Sequence, residues 1–379
     1  MNRYLLAGCA AVALSFAAGS ASAAFELKLG GDAYFEAGFV GQDQDTNTRA
    51  LEFRNRFRLV ITPTAKADNG LTYGARLRVR ANAGTALADG DRAFIFAEGA
   101  FGRVEAGVVN GPSDQTYVGH PQDYKILGLY DQYRAYVNHG THPGIAGGFA
   151  PGTESVQLMR SSGAGTKINY FSPRFSGFQL GLSYMPRTDS VLTDVNRNEY
   201  GAGAAGYAAS FQDVYEVTAN YTGEFNGVGV KLGAGYSGGS ATNDGPAPAA
   251  RYENLSSWQA GLQLSYAGFA VGGGYVWGGE SGQQKGAAIF RDDYSSWHAG
   301  VQYTTGPWVV GASYQYTEDA GSTANADSRE LNAYTLGVLY TVAPGLRTGL
   351  EYTYFDADNE TGTNDDDGSV VMLRSVVNF

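Results

Sequence analysis

Cysteine is nearly absent. The single one, Cys9, sits in the first twenty residues, so nothing beyond it can form a disulfide framework, a thiol nucleophile or a thiolate metal site. Long apolar runs are missing as well. After the opening segment no stretch reaches the length a bilayer-spanning helix needs, which excludes a helical membrane protein. Proline is sparse at 11 residues and histidine sparser at 4. Basic charge is in deficit too: the formal net charge is −11, which argues against nucleic acid as a partner. What fills the chain instead is 54 Gly, 26 Tyr and 19 Phe. That mixture is odd for a soluble enzyme. It suits tightly curved strands with aromatic residues at membrane interfaces.

The chain opens with a short basic stretch containing Arg3, an apolar stretch over 5–18, and Ala21-Ser22-Ala23. These are the three regions of a secretory signal peptide. Residues 1–23 are therefore expected to be removed, and 24–379 to form one domain. Leu6-Ala7-Gly8-Cys9 mimics a lipoprotein processing box, but Cys9 lies inside the apolar stretch rather than after it, which favours the plain signal peptide. At the other end Val371, Leu373, Val377 and Phe379 share one parity, while Met372, Arg374 and Asn378 share the other. A chain that stops on an aromatic within such an alternation has its last residues in a sheet.

Period-two segments run along the whole length. The first places Leu27, Leu29, Ala33, Phe35, Ala37 and Phe39 on one face, with Lys28, Asp32, Tyr34 and Glu36 on the other. Residues 50–62, 71–82, 91–99, 101–109, 166–172 and 177–185 follow the pattern. So do 214–221, 228–236, 258–266, 269–277, 297–303, 308–316, 334–340, 346–354 and the terminal stretch. The total is about sixteen strands, within the range of bacterial outer-membrane barrels. Connections alternate short (63–70, 99–102, 172–177, 223–227, 267–268, 305–307, 343–345) and long, the longest being 110–165. The pattern predicts an all-β protein: a transmembrane antiparallel up-and-down barrel, since lipid satisfies no open sheet edge and closure removes every edge. Trp258, Tyr266, Trp308 and Tyr316 are placed to contribute to two aromatic girdles. The competing fold is a soluble β-solenoid or sandwich.

Three stretches carry a family resemblance. Glu26-Leu-Lys-Leu-Gly-Gly31 resembles the first strand of Gram-negative general porins of the alphaproteobacterial type. Asp91-Arg-Ala-Phe and Glu98-Gly-Ala-Phe-Gly-Arg-Val-Glu-Ala-Gly107 are similar to the stretch before that family's third loop. Lys167-Ile-Asn-Tyr-Phe-Ser-Pro-Arg-Phe-Ser-Gly-Phe178 is similar to the strand, turn and strand after it. The resemblance implies a homotrimeric, water-filled channel with the long third loop folded into each lumen as a constriction. It also implies Phe379 as the signal read by the barrel-assembly machinery. One departure stands out: the second loop of trimeric porins reaches over a neighbouring subunit, whereas 82–90 here is brief.

The sharpest charge pattern lies on two successive strands. Arg54, Arg56 and Arg58 share a parity opposite Phe53 and Phe57, and Arg76, Arg78 and Arg80 share one opposite Leu77 and Val79. An arginine facing lipid at mid-depth costs about 2–4 kcal/mol, so these six are expected to face water inside the barrel. They then form either a plain solvated face or one wall of a transverse field. The opposite wall is expected from acids of the 110–165 loop, namely Asp114, Asp123, Asp131 and Glu154, with Asp123 and Asp131 preferred. His139 and His142 have the spacing of a metal pair, but no third ligand is well placed and Pro143-Gly144 breaks a helix, so no metal site and no cofactor is expected. Asp365-Asp366-Asp367 reads as solvated surface. Its lesser reading is a loosely bound divalent cation such as calcium, bridging to lipopolysaccharide phosphates.

The function expected is passive diffusion of small hydrophilic solutes and ions across the outer membrane, without catalysis. An anion- or phosphate-selective porin using the arginines is the nearest alternative. A sugar-specific channel would want a lumen track of aromatics, and a barrel enzyme or adhesin is the alternative of a different class.

Overall fold

The computed structural model describes residues 12–13, 24–81, 88–125, 132–137, 158–159, 162–201, 207–243, 245, 251–286, 290–321, 327–358 and 365–379. Residues 1–11 and 14–23, most of the expected signal peptide, lie outside them. Sixteen strands form the barrel. They are β1 (Glu26–Gln42), β2 (Leu51–Lys66), β3 (Thr72–Ala81), β4 (Ala88–Gly99), β5 (Gly102–Val109), β6 (Gly165–Phe171), β7 (Phe178–Arg187) and β8 (Phe211–Phe225). Then come β9 (Val228–Ala241), β10 (Leu255–Tyr266), β11 (Phe269–Gly279), β12 (Tyr294–Thr305), β13 (Trp308–Asp319), β14 (Arg329–Ala343), β15 (Leu346–Asp358) and β16 (Asp366–Asn378). A two-residue piece, Val12–Ala13, pairs with Leu27 and Glu26 outside the ring.

Each strand pairs antiparallel with the next, and β16 pairs with β1 from Gly368 opposite Gln42 to Asn378 opposite Asp32. The ring is closed. Phe379 extends the seam: Gly31 N–H donates to its carbonyl at 2.8 Å, and its own N–H donates to the Gly31 carbonyl at 3.1 Å. Closure leaves no unpaired edge for lipid to desolvate.

One end of the barrel carries tight connections. Asn226 and Gly227, with φ of 50° and 82°, make the two-residue hairpin between β8 and β9. Both angles match the turn whose twist suits paired strands. The other end carries the long connections. Several strands run further toward that end than alternation alone indicates: β9 reaches Ala241 and β14 begins at Arg329. Past the apolar band both faces of a strand meet polar surroundings, so hydrogen-bonded pairing continues after the hydrophobic rhythm has stopped.

Side-chain parity sorts the wall. Phe35, Phe53, Ile95, Leu180, Leu336 and Leu373 point outward and are exposed, whereas Asp32, Glu36, Glu105, Asn169 and Glu216 point inward and are buried. Two aromatic bands encircle part of the outer face. Toward the long-connection end Trp258 meets Tyr275, and Trp297, Tyr314, Tyr334 and Tyr354 form successive ring contacts. Toward the short-turn end lie the pairs Phe178–Tyr221, Phe269–Tyr303 and Trp308–Tyr340. Rings with polar tips hold the barrel at two interface depths.

The inner face is not uniformly polar. Val40, Leu331, Ala333, Phe355, Val370 and Met372 point inward and form one buried cluster with Tyr133 and Val137 of the long connection. An inward apolar patch in a wetted barrel needs a cover, and here the connection between β5 and β6 supplies it.

Candidate functional site

The arginines stand on β2 and β3, which pair with Arg58 opposite Arg80 and Val60 opposite Arg78. Guanidinium groups packed this closely repel unless acids lie among them. The neighbouring strands provide the acids. Asp32 on β1 sits between Arg56 at 2.8 Å and Arg58 at 2.6 Å. Glu36, fully buried, meets Arg54 at 3.5 Å and is also paired with Arg374 of β16. Asp91 owes its position to a bulge in β4: Arg78 lies opposite Arg92 and Val79 opposite Gly90, leaving Asp91 as the extra residue. A bulge breaks the strict alternation of faces. Its carboxylate reaches Arg78 at 2.6 Å and Arg80 at 3.6 Å. Arg76 is exposed and makes no ion pair or hydrogen bond among the described residues, although the Glu105 carboxylate attracts it from beyond ion-pair distance.

The described parts of 110–165 lie against inward-facing side chains, mostly on the far arc, with Gln115 donating to Glu105 on β5 at 2.8 Å and the Gln132 carbonyl accepting from Arg54 on β2 at 3.5 Å. Ser113 donates through its N–H and Oγ to Glu216 on β8, at 3.2 and 2.7 Å, and its carbonyl accepts from Gln259 on β10 at 3.0 Å. Tyr117 and His120 both reach His298 on β12, each at 2.8 Å. Asp123 exchanges two hydrogen bonds with Gln302 through its N–H and its carboxylate, at 2.9 and 2.7 Å. Tyr124 donates to Ser313 Oγ on β13 at 2.6 Å. Tyr136 donates to Glu36 at 2.7 Å, completing the circuit back to β1. Burial pushes the Tyr136 phenol up to about 12, so it remains a donor at neutral pH. Burial, Lys125 and His298 together hold His120 well below the ordinary imidazole value.

Glycine makes the room for these contacts. A Cβ built on Gly311 would meet the Tyr124 ring at 2.2 Å, one on Gly337 the same ring at 2.6 Å, and one on Gly261 the Val118 carbonyl at 1.8 Å. One on Gly38 would meet the Tyr136 ring at 2.3 Å. These inward positions make room for the described residues Val118, Tyr124 and Tyr136 of the connection.

Of the four loop acids expected to face the arginines, Asp114 accepts from Asn110 and Asp123 from Gln302. Asp131 and Glu154 lie outside the described residues, as do His139 and His142. The acids within ion-pair distance of the arginines are instead strand residues that the sequence reading did not single out as site residues. Asp32, Glu36 and Arg374 were nonetheless legible as the polar parity of the two strands at the seam. Asp91 was not, because a bulge carries no signal in simple alternation. Among the described residues no group of three or more His, Cys, Asp or Glu is placed to hold a metal ion. Asp366 accepts from the Gln42 side chain at 2.7 Å and the Gln44 N–H at 2.9 Å, which ties the acidic run into the rim.

Below the arginine wall, between the turns at 99–102 and 172–174, a cavity of about 770 Å³ opens. Arg76, Arg78, Arg92, Arg103 and Arg174 line it, with Glu98 and Glu105 the acids on its surface.

A closed sixteen-stranded barrel with lipid-compatible outer bands and a charged interior defines a transmembrane channel of the porin class. A Gram-negative porin family matches residues 10–360, and the chain belongs to that family, a transmembrane β-barrel of the outer membrane. A porin of Rhodobacter capsulatus is 30% identical over 92 residues, covering 24% of this chain and 28% of that protein. An uncharacterized Rickettsia felis protein is 27% identical over 189 residues, 43% of this chain and 41% of that protein. The chain thus spans less than half the length of either relative. Among solved structures, a mutant of the Rh. blastica porin superposes with a TM-score of 0.56 at 17% identity, covering 93% of this chain and 100% of that one. The trimer form of OmpT, an outer membrane protein of Vibrio cholerae, superposes with a TM-score of 0.61 at 14% identity, covering 93% and 99%. At such identities the likeness is one of fold.

Proposed function

We propose that this porin is a water-filled channel through which small hydrophilic solutes and ions cross the outer membrane by passive diffusion, without catalysis or energy coupling. The observation that carries the reading is the division of the inner wall. The described part of 110–165 is tied by hydrogen bonds from β8 round to β1 and touches the arginine arc at Arg54, whose guanidinium donates to the Gln132 carbonyl at 3.5 Å; among the described residues of 110–165 none bonds to the other five arginines of β2 and β3. On this reading 110–165 is the constriction. The guanidinium wall then sets a transverse field in which dipolar solutes align and apolar ones must displace ordered water. The six arginines Arg54, Arg56, Arg58, Arg76, Arg78 and Arg80 are its pore-lining basic residues. Residues 1–23 act as the export signal, Phe379 is read by the assembly machinery, and the working unit is a homotrimer in contact with lipopolysaccharide.

The test is conductance of the purified, heat-modifiable protein in planar bilayers, paired with liposome swelling in sugars of increasing size. Openings in threes that scale with bulk salt, and a sharp size limit for sugars, are expected. A folded barrel that gives neither would refute the reading. Anion selectivity is the second form of the same function. It is favoured by the excess of arginines over acids around the 770 Å³ cavity.

A further inference from the structure

We propose that this cavity at the short-turn end is a binding site for a hydroxylated organic phosphate, a small solute carrying a phosphate monoester dianion on a polar frame. The proposal rests on the channel reading for the solute's route to the site. The site itself is argued from charge and shape.

One of its five arginines, Arg92, donates to the Asp91 carbonyl at 2.6 Å, and the other four fall into two groups. Arg78 is neutralised by Asp91 at 2.6 Å, and Arg103 by Glu105 at 2.8 Å and Glu98 at 3.2 Å. Arg76 and Arg174 make no salt bridge among the described residues, Glu105 attracting Arg76 only from beyond ion-pair distance. Arg174 is nonetheless fixed: it donates to the Gly177 carbonyl at 2.6 Å, to Gln179 at 3.1 Å and to Asn220 at 2.6 Å. Neutral acceptors orient a guanidinium without cancelling its charge. Arg76 lines the same space and makes no hydrogen bond among the described residues. Two guanidiniums without a salt-bridge partner among the described residues, one of them held in place, match a dianion, and planar forks favour phosphate oxygens.

The rest of the lining argues for more than a bare ion. Phe94, Phe171, Val109 and Pro173 give the cavity an apolar side. Asn110, Gln115, Thr116 and Gln179 give it amides and a hydroxyl suited to sugar hydroxyls. The volume falls in the range of about 300–1,000 Å³ typical of small-molecule sites. The arginines of β2 differ: Arg54, Arg56 and Arg58 are each tied to a strand carboxylate, so they shape a field without offering a vacant anion site.

Equilibrium dialysis of labelled glucose 6-phosphate against the detergent-solubilised, folded protein at low salt tests this. Saturable binding of one molecule per chain is expected, with glucose at least a hundredfold weaker as a competitor and inorganic phosphate at least tenfold weaker. Arg76→Gln with Arg174→Gln should lower affinity at least tenfold, and Arg291→Gln at the opposite rim should leave it within twofold. Should the double variant fail to show heat-modifiable mobility, Arg76→Gln alone, which breaks no hydrogen bond or salt bridge among the described residues, must still weaken binding severalfold. Absent saturation, unchanged affinity in a folded variant, or inorganic phosphate competing as well as glucose 6-phosphate would each overturn the assignment. Dialysis needs no ion flow. A barrel that binds without conducting therefore overturns the channel reading and keeps the site, whereas one that conducts without binding overturns the site alone.

Discussion

Replacing Arg56 and Arg78 together by glutamine removes two positive charges from the inner wall with little damage to it. Asp32 keeps Arg58 at 2.6 Å, and Asp91 keeps Arg80 at 3.6 Å, so neither carboxylate is stranded. Glutamate at these positions would instead set like charges against Asp32 and Asp91, and would confuse a change of field with a failure to assemble. For an ion passing about 10 Å from each head group in water, the unscreened interaction is about 0.4 kcal/mol per charge. At 0.1 M salt, where the screening length is about 10 Å, it falls to about 0.15 kcal/mol. Two charges shift a cation down and an anion up by about 0.3 kcal/mol each. The difference of about 0.6 kcal/mol is roughly a threefold change in permeability ratio toward cations. At 1 M salt the screening length is about 3 Å and the ratio should move by only about 10%. Reversal potentials across a salt gradient read the ratio directly. An unchanged ratio at 0.1 M, in a variant that assembles normally, would refute the idea that these arginines shape the field.

Four further outcomes are expected. Deleting 120–150 should raise single-channel conductance and admit larger sugars in liposome swelling; equal conductance from an assembled barrel would make the segment a surface feature. Gly311→Val places side-chain atoms where the Tyr124 ring lies, so the segment should loosen at a cost on the order of 1–3 kcal/mol while the barrel persists. Faster proteolysis within 110–165, without loss of heat-modifiable mobility, is the readout, and wild-type resistance would count against that packing. Because the His120 value is lowered in the docked state, its contribution to docking is complete above the ordinary value of about 6.5 and is lost as pH falls below it, where the undocked ring takes up the proton. Current noise should therefore grow from pH 7 to pH 5 in the wild type and much less in His120→Gln; equal pH responses would reject the imidazole as the cause. Phe379→Asp sits on the outer face beside Phe57, near the interface, where the direct cost is only about 0–1 kcal/mol. A severe loss of outer-membrane barrel would then mark recognition of the terminus, and wild-type levels would argue against it.

Much of the barrel was legible because its two physical demands write directly into sequence. Lipid outside and water inside impose period two, and tight turns at one end require residues such as Asn226-Gly227 that tolerate positive φ. Strand ends at the other rim were less legible, as β9 and β14 show, because nothing apolar marks where pairing stops. The acids serving the arginines were only partly visible. Asp32 and Glu36 follow from laying the polar parity of β1 beside that of β2, a step that needs register as well as alternation. Asp91 depends on a bulge, which local composition does not announce.

Glycine was present in the sequence reading for a different reason from the one the wall reveals. High glycine content suits curvature, yet Gly38, Gly261, Gly311 and Gly337 stand on inward parity at points where a single carbon would strike the β5–β6 connection. The inward apolar residues Phe355, Val370 and Met372 belong to the same arrangement, since they break the expected polar inner face only where Tyr133 and Val137 cover them. Small residues and misplaced apolar ones on the water-facing parity together mark a wall that is lined by more chain. Arginines on that parity mark a wall that the described part of the connection meets only at Arg54, because a guanidinium left in water needs no covering side chain and one buried under chain needs a carboxylate of its own. The same rule separates Arg374, which is buried and paired with Glu36, from Arg76, which is exposed and unpaired among the described residues.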